Sequence, residues 1–126
     1  MKYLILIWNN PESRRAWEGF SDDQRAQGMA AYAALDEELA ASGELIVSEA
    51  LDDPSLTTRV SVRGGQVVTS DGPFAEAKEQ LAGFFLLDCD RLERAVEVAA
   101  RLPEASLGLV QVRPVLDLGT AGGAAD

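Results

Sequence analysis

The sequence contains no histidine, and this absence limits its chemistry more than any other feature of the composition. Histidine is the usual general base near neutral pH, the partner of serine and cysteine nucleophiles, and a common metal ligand. All three kinds of site therefore lose their usual central residue. We assign no catalytic residue from the sequence, and we expect neither a metal nor a cofactor.

Cysteine is nearly absent as well. Cys89 is the one cysteine, so an intrachain disulfide is excluded. That fits a reducing compartment, and we expect a cytoplasmic protein. No histidine or lysine cluster lies near Cys89 in the sequence to favour a thiolate, so we expect it to pack like a small apolar side chain.

Basic residues and long apolar runs are the other shortages. The 126 residues include 11 Lys and Arg against 21 Asp and Glu, which gives a net charge of −10. Phosphate contacts need clustered basic side chains, so we expect no direct nucleic-acid partner. No segment approaches the roughly 20 apolar residues that cross a bilayer, so we expect no membrane partner.

The remaining composition is that of one packed domain, which we expect at residues 1–118, followed by a disordered tail at residues 119–126. The hydrophobic pattern predicts strands at residues 2–8, 44–51, 83–89 and 107–116. A capping box at Ser21–Gln24 and a glycine at Gly43 predict a helix over residues 22–42. A second helix is predicted to follow a similar cap at Asp90 and to end at Pro103.

Shorter elements complete the prediction. Two more strands, 58–63 and 66–70, form a hairpin through Gly64-Gly65. One helical turn is expected near Trp17 and a short helix at residues 75–81. The fold class is therefore α+β, a ferredoxin-like βαββαβ unit with an inserted hairpin. The faces expected to pack on the sheet are Met29, Tyr32, Leu35 and Leu39 in the first helix, and Leu92, Ala95, Val96, Ala99 and Leu102 in the second.

Both faces of the central strands are apolar. In the first strand one face carries Tyr3, Ile5 and Ile7, and the other carries Leu4, Leu6 and Trp8. Helices cover only one face of such a sheet, and a large exposed apolar patch is rare on a monomer. A second copy, forming a two-fold homodimer, is the simplest cover, and a bound small molecule is the next.

One segment resembles a known family. Residues 68–84, centred on Asp71-Gly72-Pro73-Phe74, are similar to the hallmark of YCII-related proteins of the Asp-Gly-Pro-Phe branch, and the resemblance extends through Met1-Lys2-Tyr3 and Val112-Arg113-Pro114. It implies a dimeric ferredoxin-like α/β-barrel assembly. It also implies a regulatory setting, because members often lie beside or are fused to extracytoplasmic-function sigma factors. A sigma factor is therefore an expected partner.

The wider family includes proteins similar to muconolactone isomerase and dehydrochlorinases, which implies an isomerase or lyase as the alternative function. Its compact branch has a histidine on the first helix and an aspartate near the end of the second as a catalytic pair. Those positions fall near Tyr32 and Leu102 in this sequence. Tyrosine is a poor base near neutral pH and leucine has no ionisable group, so the pair does not carry over.

The signature has a structural and a functional interpretation. In the structural one, Asp71 caps a turn, Gly72 adopts an unusual φ, Pro73 stiffens the chain and Phe74 anchors it in apolar surface. In the functional one, Asp71 faces a ligand, with Lys78 or Glu79 as its partner. We favour the structural interpretation because of the turn chemistry of this segment. Lys78 and Glu79 are consecutive and point to different sides of a helix, so we expect them on a solvated face.

Four further residues are ligand-binding candidates. Three of them, Glu49, Arg59 and Arg113, lie on predicted strands. There they are either polar residues exposed on an edge strand, an ion pair between subunits, or an anion-binding site. Tyr32 is expected in the core or a dimer contact with its hydroxyl bonded, and a general acid is the alternative. The primary hypothesis is a non-enzymatic dimeric module that binds a small ligand or a protein partner. The enzyme alternative uses Asp71 or Glu49 as base and an arginine as anion clamp.

Overall fold

A computed structural model describes residues 1–74 and 77–119 of the chain. Its main sheet has four antiparallel strands in the spatial order β2-β5-β1-β6, and a separate two-stranded sheet pairs β3 with β4. The strands are β1 (Lys2–Asn9), β2 (Leu45–Ala50), β3 (Thr58–Arg63), β4 (Gln66–Asp71), β5 (Gln80–Asp88) and β6 (Val110–Pro114). The helices are α1 (Pro11–Glu18), α2 (Asp22–Ser42) and α3 (Leu92–Ala100), with 3-10 turns at Pro54–Leu56 and Pro103–Leu107. The predicted ferredoxin-like α+β fold is confirmed.

Helix α2 begins and ends where the sequence predicts. The Ser21 hydroxyl accepts from the Gln24 backbone N–H at 3.1 Å, and the Gln24 side chain accepts from the Ser21 N–H at 2.8 Å. Gly43 ends the helix with a φ of +82°, which a residue with a Cβ rarely adopts. Leu35 and Leu39 are buried as expected, but Met29 is 59% exposed. The predicted stripe is wrong at Met29, because only the C-terminal half of α2 buries residues.

Two predicted boundaries are wrong for local reasons. Residues 11–18 form the full helix α1 rather than one turn near Trp17, because Asn10 and Ser13 make a capping box. The helix predicted at residues 75–81 is not found in the part that the structure describes, since Gln80 and Leu81 pair with β1 and residues 77–79 are not helical. Ala75 and Glu76 lie outside the described residues, as does the tail from residue 120.

Helix α3 has a different cap and a different buried face from those predicted. Arg91, not Asp90, occupies the N-cap position, and its side chain makes no capping hydrogen bond. Leu92 and Val96 are about half exposed, at 45% and 49%. The buried face is Ala95, Val98, Ala99 and the following Leu102. Both sets have helical spacing, so the packing against the sheet decided between them.

The core lies between the helices and one face of the sheet. Its buried residues are Ile5 and Ile7 of β1, Phe85 and Leu87 of β5, Leu35 and Leu39 of α2, and Val98, Ala99 and Leu102 at the α3 end. Gly83 allows β2 to approach β5 closely, because a Cβ there would lie 2.7 Å from the carbonyl oxygen of Glu49. The alternation in β1 and β5 correctly divides these residues between two faces, and the structure decides which of the two faces the helices.

The hairpin of β3 and β4 stands apart from the main sheet. Gly64 and Gly65 join its strands with φ values of +55° and +80°, as the predicted turn requires. At its base the Gly72 N–H donates to the carbonyl oxygen of Thr57 at 2.7 Å. This contact carries the chain from the hairpin into the signature segment and on to β5.

One ion pair joins the helix layer to the edge of the sheet. Arg94 of α3 donates two hydrogen bonds of 2.8 Å to the Glu44 carboxylate, which lies between α2 and β2. The two side chains are 26% and 19% exposed. The arginine lowers the pKa of Glu44 to about 2 from its usual value of 4.5. A second pair, Arg101 with Glu38, is about half exposed.

We expect Glu44→Gln to lower the free energy of unfolding at pH 7 by roughly 1–2 kcal/mol, between the values typical of exposed ion pairs and of hydrogen bonds to charged groups. Because the folded pKa is depressed, the contribution is complete above about pH 4.5 and is lost as the pH falls towards 2. Urea denaturation of both proteins between pH 7 and pH 3 measures this. The control, Glu38→Gln, should lose less. A difference that is constant with pH would contradict the role of the carboxylate.

Candidate functional site

The face of the main sheet that points away from the helices is covered by half-buried apolar side chains. Strand register places one residue from each strand in line across the sheet. The first row is Glu49, Phe84, Leu6 and Gln111, and the second row is Val47, Leu86, Leu4 and Arg113. We call these two rows, together with Trp8, the open face. The centre of the open face is apolar, and its polar residues lie on the two edge strands.

The edge residues of the open face carry opposite charges. Glu49 is exposed on β2, and Arg113 is exposed on β6. Three strand spacings separate the two edges, about 14 Å. Their charged groups therefore do not meet within one copy, and no ion pair joins them in the described residues.

A hollow of about 440 Å³ lies at the β6 side of the open face. Leu6, Trp8, Gln111 and Arg113 line it, with Val112. The Trp8 indole N–H donates to the Gln111 side-chain oxygen at 2.9 Å. Since that bond fixes the amide, the Gln111 NH₂ group is left to donate elsewhere. Trp8 and Gln111 were not among the candidate residues predicted from the sequence, although an indole on an apolar strand face opposite an amide is the signal that could have identified them.

The signature segment forms a second, smaller cleft of about 260 Å³ at the end of the main sheet. Gly72 has a φ of +86°, as predicted. Phe74, which is predicted to anchor the segment in apolar surface, is 64% exposed, and the Arg59 guanidinium lies 5.6 Å from its ring centre. The Nε of Arg59 is buried with no hydrogen-bond partner among the described residues. The segment therefore shapes a surface cleft, and its aromatic ring packs on an arginine.

The three other charged candidates of the signature region are exposed. Asp71 ends β4 opposite Thr58, whereas Arg59 pairs with Ser70 one position along, so their side chains lie on opposite faces of the hairpin. Lys78 and Glu79 lie in the turn before β5. Among the described residues, the Asp71 carboxylate accepts no hydrogen bond that would cap the turn.

Tyr32 lies on the other side of the sheet from the open face. Its ring stacks on Phe85 with centres 6.5 Å apart, and its hydroxyl donates a short hydrogen bond to the Glu104 carboxylate. Burial raises the pKa of Tyr32 well above its usual 10, and the Glu104 carboxylate adds to this. The expected bonded hydroxyl in the core is present, and its position excludes contact with a ligand on the open face.

The described residues bring few of the candidates together. Arg59 contacts Phe74, whereas Glu49 and Arg113 share the open face but lie on its opposite edges. Within residues 1–74 and 77–119, no three His, Cys, Asp or Glu side chains lie close enough to hold a metal ion. Cys89 is buried, and burial raises the pKa of its thiol, in keeping with the apolar packing predicted for it. No helix among the described residues has the length and hydropathy to span a membrane.

Two comparisons with known proteins show what the chain is similar to. The family model of the YCII-related domain matches residues 1–119. The chain is also similar to a protein of Rhizobium meliloti (strain 1021) named "Uncharacterized protein R00369", with 33% identity over 117 residues. The alignment covers 91% of this chain and 92% of that relative. The similarity therefore extends over both proteins and is not limited to the signature.

We expect Tyr32→Phe to lower the free energy of unfolding by roughly 1 kcal/mol at pH 8, because the ring stays in place while its hydrogen bond to Glu104 is lost. The raised folded pKa means that this contribution is complete below about pH 10 and declines at higher pH. Urea denaturation at pH 8 and pH 10.5 should show the difference shrinking. The control is Tyr3→Phe, whose hydroxyl donates to the Met1 sulfur at 3.4 Å. Equal losses in both variants would contradict a specific role for the Glu104 contact.

Proposed function

Since the chain belongs to the YCII-related domain family, we propose that it is a dimeric binding module that holds a small ligand against its open face. The observation that carries the proposal is the row of half-buried apolar side chains on the side of the sheet without helices. Water contact with this surface is unfavourable, and a self-associating sheet removes it. A second copy of the chain can cover this surface without any other protein.

The ligand of this proposal is a small, mostly apolar molecule with a hydrogen-bond acceptor. Leu6 and Trp8 offer apolar contact in the hollow at the β6 side, and the NH₂ group of Gln111, which has no acceptor among the described residues, offers a donor. Aromatic acids and lactones combine a flat apolar body with a carboxylate or carbonyl oxygen. They therefore fit this lining better than sugars or nucleotides do.

Within one copy of the chain, the positions of the candidate residues favour binding over the isomerase or lyase alternative. Asp71 ends the hairpin, Glu49 lies on β2 and Arg113 on β6, so a base and an anion clamp do not converge. General-base catalysis requires the base within hydrogen-bond reach of the proton that it removes. A sigma factor as partner is a separate part of the proposal, and co-purification with an extracytoplasmic-function sigma factor tests it.

We expect the protein to sediment with twice its 13.5 kDa chain mass at micromolar concentration. Leu6→Glu should weaken the dimer by at least about a hundredfold, because it places a charge at the centre of the apolar contact. Sedimentation equilibrium measures both. Val96→Glu, on the exposed side of α3, is the matched control and should stay dimeric. A monomeric wild-type protein at these concentrations would refute the dimer.

The two tryptophans allow a direct test of ligand binding. Trp17→Phe leaves Trp8 as the fluorophore in the hollow, and Trp8→Phe leaves Trp17 as the control. We expect benzoate, chlorobenzoate or an aromatic lactone to change the fluorescence of the Trp17→Phe variant in a saturable way, and Gln111→Leu to weaken the effect. If no compound of this panel acts on Trp8 while the dimer is intact, the ligand part of the proposal fails.

A further inference from the structure

The cleft beside the signature segment contains a charged donor without an acceptor among the described residues. We call it the signature cleft, and its walls include Leu51, Arg59, Phe74 and Leu81. The half-buried side chain of Arg59 enters it from β3, and the Nε atom is buried with no hydrogen-bond partner in the part of the chain that the structure describes. A buried charged donor without an acceptor is costly, so this position suits an acceptor that a ligand supplies.

The acidic side chains described near Arg59 do not pair with it. Asp71 lies on the opposite face of the hairpin, and Asp53 pairs with Arg14 at 3.4 Å. Asp52 also lines the cleft, but its carboxylate accepts from the Asp53 backbone N–H at 2.7 Å. Within the described ranges, no ion pair includes Arg59. In a chain with 21 acidic and 11 basic residues, this arginine is therefore available to an external anion.

The aromatic ring of the signature holds the guanidinium in place. The Arg59 guanidinium lies 5.6 Å from the centre of the Phe74 ring, within the range of a cation–π contact. A planar guanidinium held in this way presents its remaining N–H groups as a fork, the geometry that matches a carboxylate. Phe74 is 64% exposed, so the ring also has apolar surface left for a ligand, next to Leu51 and Leu81.

The size and lining of the signature cleft limit the ligand class. Its volume of about 260 Å³ is below the roughly 300 Å³ at which sites for drug-sized molecules begin, so the ligand is smaller than those. Inorganic phosphate would use the arginine but gain nothing from the apolar walls. We infer that the signature cleft binds a small organic carboxylate, with its charge on Arg59 and its apolar body against Phe74 and Leu81.

This site is separate from the hollow on the open face. The signature cleft lies where β2 ends and β5 begins, whereas the hollow lies between β1 and β6, and the two share no lining residue. All the residues that form the cleft come from one copy of the chain. The inference therefore goes beyond the function proposed above and does not require the dimer.

A titration with benzoate, followed by proton–nitrogen correlation spectra, tests the site. We expect the Nε–H signal of Arg59, identified by its loss in Arg59→Gln, to shift in a saturable way. Benzamide has the same ring without the charge and should bind at least about tenfold more weakly, because hydrogen bonds between charged groups are the stronger ones. Acetate lacks the apolar body and should also bind more weakly than benzoate.

Variants assign the contacts, with the backbone N–H of Leu81 as the reporter where the Arg59 signal is lost. Arg59→Gln should weaken benzoate binding at least about tenfold, and Arg59→Lys, which keeps the charge without the fork, at least about threefold. Phe74→Leu should weaken it by a similar factor to the lysine variant. The matched control, Arg63→Gln, removes an exposed arginine from the same face of the hairpin and should bind like the wild type. Circular dichroism checks that each variant is folded.

Three outcomes would overturn the inference. They are an Arg59 signal that does not move up to about 10 mM benzoate, equal binding of benzoate and benzamide, or an Arg59→Gln variant that binds like the wild type. Glu76 is the first acidic residue after Phe74 in the sequence, and Glu76→Gln should not change the affinity. Binding in that variant alone would assign the arginine to a carboxylate of the chain itself. A response of Trp8 without one of Arg59 would support the hollow and contradict the signature cleft.

Discussion

The structure depends on an imbalance in its main sheet, which is apolar on both faces but has helices on only one. On the helix side, Ile5, Ile7, Phe85 and Leu87 make up the sheet's part of a conventional core. On the other side, side chains of the same chemical type remain half-buried. An antiparallel sheet with a solvated face ordinarily alternates apolar and polar residues. This face departs from that pattern, and the departure is the basis of the proposed dimer.

The helix layer uses its own polar residues for structural contacts. Arg94 binds Glu44 at one edge of the sheet, and Tyr32 binds Glu104 beneath α2. Both contacts fasten a helix or a turn to the rest of the fold. Both also shift a pKa, that of Tyr32 or that of Glu44, but neither side chain lies at a cavity of the open face. A shifted pKa can indicate a functional site, but here the ion pair with Arg94 explains the lowered pKa of Glu44, and burial explains the raised pKa of Tyr32.

The signature segment also has a structural basis. Gly72 allows the turn, and its N–H bond to Thr57 closes the base of the hairpin. The exposed Phe74 packs on Arg59. The segment carries the chain from the hairpin to β5 and shapes a cleft at the end of the sheet. The family match extends over residues 1–119, and the broad apolar surface lies on β1, β2, β5 and β6 rather than on the signature segment.

The sequence by itself determined the fold class, the caps of α2, the hairpin turn and the two apolar faces of β1, because these follow from local periodicity and from single-residue backbone preferences. It did not determine the buried face of α3 or the end of the signature segment, since Val96 and Val98 have equally good helical spacing and Gln80 has no local signal for pairing with Asn9. It named Glu49 and Arg113 but could not relate them. Only the tertiary structure aligned them on opposite edges of one face, because strand order and register are set by contacts between residues far apart in the chain.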